Sequence, residues 1–319
     1  MSSTKALSAS ALASVTYRPP TIWTDNVRVY YVDVYGDVCE ARGLRGIWFP
    51  SSKTCFKAPR PRTPLAAVVN SEGTEPEIRV YCIHINDKDV PSIQEYKKAR
   101  NSNDWIQGKD IPTKDLASIS ALAAVNYTDK NAKTQLRIYW QDTTHYIRQT
   151  TFDGSEWKVS DTKISSKAAF AGTPIGAAAE VVVKDSSTPS VIIAWHDPSH
   201  YLVVSKVADG QNPQNVLKDT QRYSASPTGT VTVLAWDATR TWIYYDGLDD
   251  GLQRVRLEAG ENEEAFSVFT GDITSAKAPA QGALTSAAFQ DRKNPYDGFG
   301  DGTIFYQVPG RVNIVEIRI

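Results

Sequence analysis

An apolar motif with an arginine at its second position recurs three times in the first half of the chain, and this repeat constrains the fold most. Its copies begin at Val27, Ile78 and Leu136, and they read VRVYY, IRVYC and LRIYW. A run of small apolar residues precedes each copy, and a second short strand with a polar tip follows it. One such unit cannot bury its own apolar faces, so repetition in a fixed order predicts a radial array of β-sheets.

Hydrophobic alternation extends this order of strands over six units, with almost no helical periodicity. The first strands are spaced 53, 57, 53, 56 and 53 residues apart, and they begin near Leu12, Leu65, Leu122, Ile175, Val231 and Leu284. Six units of four strands predict an all-β, six-bladed β-propeller with four antiparallel strands per blade. A pair of β-sandwiches is the alternative, but it would not require even spacing.

The blades are predicted to form a single domain, residues 1–319, because no linker or low-complexity segment interrupts the repeat. Their approximate bounds are 11–58, 64–112, 121–165, 174–220, 229–272 and 283–319 plus 1–10. The sixth unit has only three strand signals before the chain stops. We therefore predict that the N-terminal segment 1–10 supplies its outer strand and closes the ring.

The charge balance argues against several classes of partner. The chain carries 35 basic and 36 acidic residues, so electrostatics gives no reason to expect nucleic-acid binding. No apolar run approaches the ~18 residues that cross a bilayer, so no membrane insertion is expected. The first residues contain one lysine and no continuous apolar core, which is unlike a secretion signal. We expect a cytoplasmic protein that, if released at all, leaves by a non-classical route.

Cysteine and histidine usage gives no sign of catalytic or metal chemistry. Cys39, Cys55 and Cys82 form no CxxC pair, so free thiols are expected, with one disulfide as the alternative. The four histidines are scattered, and no HExxH, GxSxG, P-loop or GxGxxG motif occurs. We therefore expect no metal, no cofactor and no enzymatic activity.

The arginine of each repeated motif needs a physical explanation, because a charge within an apolar strand costs several kcal/mol unless it is paired or reaches water. Each arginine has a polar candidate partner on the next strand: Arg28 with Glu40, Arg79 with Glu95, and Arg137 with Gln149. Neighbouring strands lie ~4.8 Å apart, so we expect the paired groups to meet at the same height. The pairs are interpreted either as structural salt bridges or as parts of ligand sites.

Three observations favour ligand sites. The pattern is replaced in later units, by Ile192 with Val204, Trp242 with Arg254, and Thr303 with Glu316, whereas a bridge needed for folding should persist in every unit. Tryptophans mark the predicted outer strands at positions 48, 105 and 157. Arginine, glutamate and an indole together can recognise a neutral sugar, because they supply donors, an acceptor and an apolar face.

The units RVYYVDVYGDVCE, IRVY with SIQEY, and LRIYWQD with YIRQ resemble the fungal fucose-specific lectins of the Aleuria type. The likeness is strongest over residues 11–160 and persists as strand spacing beyond about 170. It implies a six-bladed propeller with sites between adjacent blades. Each site would use Arg and Glu of one blade, and Trp with an upstream aromatic residue from the outer strands of the next.

Two sites follow from this resemblance. Site one would comprise Arg28, Glu40 and Trp105, with Lys98 at the upstream position where the family has an aromatic residue. Site two has every element and is the strongest candidate; it would comprise Arg79, Glu95, Phe152 and Trp157.

Weaker sites are also implied. Site three keeps Arg137 and Gln149 but has no matching tryptophan in the fourth unit. The last site keeps Glu316 and Trp48 but has Thr303 in place of arginine.

The resemblance implies a non-catalytic, multivalent lectin for fucosylated glycans or glycoproteins, and a homodimer would increase its avidity. Two alternatives remain open at this point: a protein-interaction scaffold, if the Arg–Glu pairs are closed, and a propeller glycoside hydrolase, if two carboxylates face one cleft.

Overall fold

The computed structural model describes residues 10–17, 26–44, 47–48, 53–70, 76–100, 102–128, 133–180, 189–208, 210–217, 222–227, 229–235, 240–248, 251–259, 266–272, 284–288, 302–307 and 314–318. These residues form six antiparallel β-sheets, one for each predicted unit. In this part of the chain, no helix is long and apolar enough to span a membrane. The predicted all-β class with six repeated sheets is therefore confirmed.

The chain divides into two compact units, and the first comprises Met1–Pro112 and Ala283–Ile319. Sheet 1 contains β1 (Leu12–Tyr17), β2 (Asn26–Val32), β3 (Asp37–Leu44), β4 (Ile47–Trp48) and β5 (Lys53–Lys57), of which β4 and β5 both pair with β3. Sheet 2 contains β6 (Leu65–Asn70), β7 (Glu77–Ile85), β8 (Pro91–Lys98) and β9 (Trp105–Ile111). The sixth sheet belongs to the same unit and is given below with its own bounds.

The second unit comprises Thr113–Gly282 and contains sheets 3, 4 and 5. Sheet 3 consists of β10 (Ala123–Thr128), β11 (Thr134–Gln141), β12 (Ile147–Phe152) and β13 (Trp157–Val159). Sheet 4 consists of β14 (Gly176–Ala179), β15 (Ser190–His196), β16 (Leu202–Ala208) and β17 (Gln214–Asn215). Sheet 5 consists of β18 (Val231–Ala235), β19 (Arg240–Asp246), β20 (Leu252–Ala259) and β21 (Phe266–Asp272).

Sheet 6 has three described strands, β22 (Leu284–Ala288), β23 (Gly302–Gln307) and β24 (Ile314–Arg318). The prediction that segment 1–10 adds a fourth strand concerns residues 1–9, which lie outside the described residues. The prediction that all blades form one domain also stays a prediction, since each compact unit is defined by its own contacts.

Small residues in the first strands are explained by how closely these strands approach one another. In the first unit, β1 packs against both β6 and β22; in the second, β14 packs against both β10 and β18. Ala13, Ala66 and Ala123 are buried in these strands. Larger apolar residues fill the space between sheets, as in the core that Tyr139 and Trp195 share between sheets 3 and 4.

The turn that joins the second and third strands has the same geometry in sheets 1 to 4. A side-chain oxygen of an Asp or Asn accepts two backbone N–H groups within the turn; the accepting residues are Asp33, Asn86, Asp142 and Asp197. Three residues later the backbone has a positive φ, at Gly36, Asp89, His145 and His200. Asp and Asn favour such turns because their side chains satisfy the local backbone donors.

A buried hydroxyl two or three residues before the first strand is a second repeated feature. It accepts a backbone N–H near the end of the second strand at 2.8–3.0 Å, in the pairs Ser10–Val32, Thr63–Ile83, Ser120–Gln141 and Thr173–His196. The sequence signal is Ser or Thr, then Ala or Pro, then Leu or Ile. The hydroxyl thus joins strands one and two at one end of the sheet.

We expect Thr63→Val to destabilise the protein by about 1–3 kcal/mol, because it leaves the buried N–H of Ile83 without its acceptor. Thr63→Ser keeps the hydroxyl and should lose much less. Urea unfolding of the two variants measures the difference. A larger loss in Thr63→Ser than in Thr63→Val would show that the methyl group, rather than the hydrogen bond, stabilises this position.

His196, at the end of β15, is fully buried, and neither ring nitrogen has a hydrogen-bond partner among the described residues. Burial, together with the nearby charge of His200, lowers the pKa of His196 from 6.5 to about 4. The unfolded chain therefore binds a proton that the folded chain excludes between these pH values. This contribution to stability is complete above pH 6.5 and falls by about 3 kcal/mol as the pH drops to 4.

We predict that His196→Leu removes this acid-induced loss. The free energy of unfolding should be measured at several pH values for both proteins, because burial raises the pKa of Asp246 to about 6, which changes stability in the opposite direction. The difference between variant and wild type isolates His196, and it should grow in favour of the variant as the pH falls. A difference independent of pH would contradict the prediction.

Candidate functional site

The arginine and its acid meet on a diagonal in the first two sheets, and the predicted meeting at the same height is wrong. The residues directly opposite the acids are tyrosines, in the pairs Tyr30–Glu40 and Tyr81–Glu95. Each arginine lies two residues before its tyrosine on the same strand, so its guanidinium reaches obliquely to the acid. A three-residue pattern, Arg-x-Tyr, therefore supplies two groups that contact one carboxylate.

In sheet 1, Glu40 is surrounded by donors. Its Oε2 atom lies 2.9 Å from Arg28 Nη1 and accepts the hydroxyl of Tyr30 at 2.8 Å. Its other oxygen accepts Arg42 Nε, and Arg28 Nη2 donates to the hydroxyl of Tyr17 at 2.6 Å. Arg28 and Glu40 are only 6% and 1% exposed. This pair thus has the closed geometry of a structural salt bridge.

The electrostatics of this pair follow from its enclosure. Burial alone would lower the pKa of Arg28, but the charge of Glu40 and the hydroxyls of Tyr30 and Tyr17 raise it above its usual range. Burial would raise the pKa of Glu40, but the charges of Arg28 and Arg42 hold it below its usual value. Both groups therefore remain charged at neutral pH.

Trp105 borders the same place from sheet 2. Its ring contacts Tyr30 edge to face at 5.7 Å and Phe56 at 5.4 Å, and Phe56 stacks on Tyr96 at 3.8 Å. Lys98 is directly paired with Trp105 across β8 and β9. The structure thus brings the three predicted residues of site one, Arg28, Glu40 and Trp105, into one aromatic-lined region, with Lys98 beside them. We call the four residues Arg28, Glu40, Arg42 and Lys98 charge cluster 1.

In sheet 2, Arg79 contacts two carboxylates. Its Nη1 lies 3.0 Å from Glu95 Oε1, and its Nη2 lies 2.6 Å from Glu77 Oε1. Tyr81 donates its hydroxyl to Glu95 at 3.2 Å, and Lys97 Nζ lies 3.0 Å from Glu95 Oε2. The side chain of Arg79 is 15% exposed and that of Arg28 is 7% exposed, so Arg79 is the more accessible of these two repeated-motif arginines. We call Glu77, Arg79, Glu95 and Lys97 charge cluster 2.

A β-bulge in β9 makes room for Glu95. Gln94 pairs with Asp110 and Tyr96 with Gln107, so two residues of β9 lie opposite Glu95. One of them is Gly108, where an added Cβ would lie 2.6 Å from Glu95 Oε2. Only glycine leaves this space, and the carboxylate occupies it.

Phe152 and Trp157, the aromatic residues of predicted site two, belong to sheet 3 of the second unit, whereas Arg79 and Glu95 belong to the first unit. Phe152 and Trp157 are directly paired across β12 and β13, and their rings lie 5.2 Å apart at 43°. This is the pairing that Lys98 and Trp105 have in sheet 2. The predicted equivalence of Phe152 and Lys98 is therefore reproduced by strand register within each sheet.

The third Arg-x-Tyr motif lies in the same register, with Gln149 directly opposite Tyr139. Arg137 is 3% exposed, and its guanidinium lies 5.2 Å from the centre of the Tyr127 ring. The described outer strand of sheet 4 consists of Gln214 and Asn215, so it contains no tryptophan. Predicted site three therefore lacks its aromatic wall in this part of the chain.

Sheets 4 and 5 show how the pattern has been replaced. In sheet 4 the positions of arginine, tyrosine and acid hold Ile192, Ala194 and Val204, which are fully buried in the core shared with sheet 5. In sheet 5 the arginine position holds Trp242, and the acid position holds Arg254, whose guanidinium lies 4.3 Å above the indole. These changes are coordinated, because apolar packing or a cation–π contact replaces the ion pair.

For the last predicted site, the structure describes only which backbone positions are paired between strands. Glu316 is paired with Phe305, as Glu95 is with Tyr81, and Trp48 is paired with Gly43, as Trp105 is with Lys98. Thr303 has the register of the arginines. The side chains of Trp48, Thr303 and Glu316 lie outside the described part of the structure.

Sequence reasoning missed several residues that complete the clusters. Tyr30 and Tyr81 could have been found from the Arg-x-Tyr spacing, because a residue two positions along a strand faces the same side. Arg42, Lys97 and Glu77 had no comparable repeat signal. Among the described residues, no group of three or more His, Cys, Asp or Glu could hold a metal ion.

Solved structures with the same arrangement of sheets define the fold. The fungal lectin of Aleuria aurantia, a six-bladed β-propeller, matches with a TM-score of 0.76 and 19% identity, over 99% of this chain and 93% of that chain. A variant of the same lectin in complex with α-methyl-L-fucoside matches with a TM-score of 0.75, 19% identity and the same coverage. The protein AofleA from Arthrobotrys oligospora matches with a TM-score of 0.73 and 17% identity, over 99% and 88% of the two chains. The chain is thus an all-β propeller.

Sequence comparison gives the family. The model of the fungal fucose-specific lectins matches residues 16–274, which is most of the chain. The chain belongs to this family. No curated protein sequence matches it significantly.

Proposed function

We propose that this protein is a lectin that binds fucosylated glycans without chemically changing them, and that Arg79 and Glu95 carry most of the affinity. The observation that carries the proposal is the geometry of Arg79 and Glu95, a charged pair in which Glu95 is buried and the side chain of Arg79 is 15% exposed. Family membership supports it, as does the α-methyl-L-fucoside bound to the related Aleuria aurantia lectin variant.

Each element of the proposed site has a chemical role. The Arg79 guanidinium donates N–H groups to ring and hydroxyl oxygens, and the Glu95 carboxylate accepts from hydroxyls. Within sheet 3, Phe152 and Trp157 form a separate aromatic pair, and such a pair can offer an apolar face to a sugar. Charge cluster 2 contains two cations and two anions, so it is neutral overall, which suits an uncharged sugar.

The same charges argue against hydrolysis. Glycoside hydrolysis needs one carboxyl group with a raised pKa that can protonate the leaving group. In charge cluster 2 both acids are engaged as acceptors of cationic donors, Glu95 by Arg79 and Lys97 and Glu77 by Arg79. We expect no release of nitrophenol from 4-nitrophenyl α-L-fucoside, and turnover above the buffer rate would contradict the proposal.

Single shallow sugar sites bind weakly, and affinity for a glycoprotein rises when several sites engage together. We propose that sites one and two act multivalently on fucosylated surfaces of a glycoprotein, and that a homodimer doubles their number. We also propose a cytoplasmic location. Sedimentation of the full chain tests the dimer.

Calorimetric titration of the full chain with methyl α-L-fucoside tests the function. Saturable binding at micromolar to millimolar concentrations is expected, with methyl α-L-rhamnoside as the control 6-deoxy sugar. Equal binding of both sugars, or no binding of either, would overturn the proposal.

A further inference from the structure

The two charge clusters have homologous positions but different net charges. Cluster 2 is neutral, because Arg79 and Lys97 are balanced by Glu77 and Glu95. Cluster 1 contains three cations, Arg28, Arg42 and Lys98, and one acid, Glu40, so it has two positive charges in excess.

Two positions account for this difference. In strand register, Asn26 of sheet 1 corresponds to Glu77 of sheet 2, so cluster 1 lacks the second acid. Lys98 occupies the position that Phe152 fills in the next repeat, so cluster 1 gains a third cation. Both changes alter the charge in the same direction.

Lys98 is an unusual lysine. Only 4% of it is exposed, and among the described residues no hydrogen bond or ion pair joins its ammonium to another group. The Glu40 carboxylate is already bound by Arg28, Arg42 and Tyr30. A buried ammonium without an ionic partner is costly, and a bound anion would compensate it.

Most of the charges around Lys98 are positive and, like burial, disfavour its ammonium form. Burial lowers the pKa of Lys98, and the positive charges of Arg28, Arg42 and Lys53 lower it further, against the opposing effect of Glu40. A negative ligand group placed here would interact favourably with all of these cations. A neutral sugar would leave the excess charge uncompensated.

We propose that site one binds a monosaccharide that carries an anionic group, a carboxylate or a sulfate ester, and that this group pairs with the ammonium of Lys98. The inference rests on the proposed function, because it assigns a ligand class to one of the proposed lectin sites. Trp105, directly paired with Lys98, supplies the aromatic wall of this site. The protein would then bind an acidic sugar at site one and a neutral fucoside at its other site.

The experiment is a set of calorimetric titrations of the full chain with four probes. They are methyl α-L-fucoside, its 3-sulfate, methyl β-D-glucuronide and inorganic sulfate. The proposal expects the sulfated fucoside, the glucuronide or both to bind at a site that salt weakens strongly, because the interaction is ionic. The two acidic probes distinguish a sulfate from a carboxylate as the preferred group.

Three variants assign this binding to cluster 1. Lys98→Met removes the charge and keeps an unbranched chain, and it should weaken the acidic ligand at least about 10-fold. Lys98→Arg keeps the charge and should retain most of the affinity. Asn26→Glu adds the acid that cluster 2 has and should weaken the acidic ligand as Lys98→Met does. Arg148→Ala, which removes a cation outside both clusters, is the control and should leave the affinity unchanged.

Each outcome bears on one of the two proposals. If methyl α-L-fucoside binds but no acidic sugar does, this inference is overturned and the lectin function stands. If inorganic sulfate competes as strongly as the sulfated fucoside, the site holds an adventitious ion only, which also overturns it. Unchanged affinity in a folded Lys98→Met variant does the same. If no sugar binds at all, the proposed function itself fails.

Discussion

Replacing Glu40 with alanine is expected to lower the free energy of unfolding by about 3–5 kcal/mol. The substitution leaves the Arg28 guanidinium enclosed, with the Tyr17 hydroxyl as its only hydrogen-bond partner among the described residues, and removes the acceptor of Tyr30 and Arg42. A buried charge without its counter-charge is among the most destabilising changes in a protein interior. Urea denaturation of both proteins at neutral pH measures the effect. The comparison requires that the free energy of unfolding fall with urea concentration at the same slope in both proteins.

Glu95→Ala is the matched control for this prediction. Glu95 is as buried as Glu40, but its arginine keeps a second carboxylate, Glu77, and an exposed edge. We expect a loss of about 1–2 kcal/mol. Equal losses in the two variants would show that the enclosure of Arg28 is not what makes its ion pair structural.

The repeat could be predicted from the sequence because its cause is local and periodic. The spacing of apolar strands, the small residues of β1, β6 and β10, and the turn residues each act within one unit and recur in the next. The same periodicity placed the tryptophans: Trp105 and Trp157 lie in equivalent register, each paired with the residue that ends the preceding strand.

The composition of the charge clusters could not be predicted in the same way. The contact between Arg28 and Glu40 is diagonal, and which groups flank it depends on strand register and on bulges such as the one opposite Glu95. Arg42 and Lys97 join their clusters only because they lie directly across from Arg28 and Arg79. A sequence shows which residues alternate, but the offset between two strands is needed to say which residues meet.

Burial also separates the two arginines that the sequence treats alike. Arg28 is enclosed by the hydroxyl of Tyr17 and by Glu40, which also binds Arg42. The side chain of Arg79, in contrast, is 15% exposed. The two interpretations left open by the sequence, structural bridge and ligand contact, therefore apply to different arginines. Arg28 acts as a structural bridge, so the ligand proposed for site one is assigned to Lys98 and Trp105, whereas Arg79 is itself accessible to a ligand.

Arg79→Ala is expected to weaken the binding of methyl α-L-fucoside by about 100-fold, because hydrogen bonds from a charged donor contribute about 1.5–3 kcal/mol. The protein should remain folded, since Glu95 keeps its contacts with Lys97 and Tyr81. Calorimetry gives the affinity of the variant, and urea unfolding gives its stability. Arg79→Lys keeps the charge but loses the planar donor geometry, so an intermediate affinity is expected.

Arg148→Ala is the control that separates a role in binding from a role in structure. Arg148 is paired with Asp142 at 2.8 Å, and its side chain is 14% exposed, against 15% for Arg79. The two substitutions therefore remove an ion pair of similar burial, and similar losses of stability are expected. Only Arg79→Ala should weaken the fucoside. If both variants lose affinity in proportion to their stability, Arg79 acts as a structural bridge, and the sugar must be bound elsewhere on the protein.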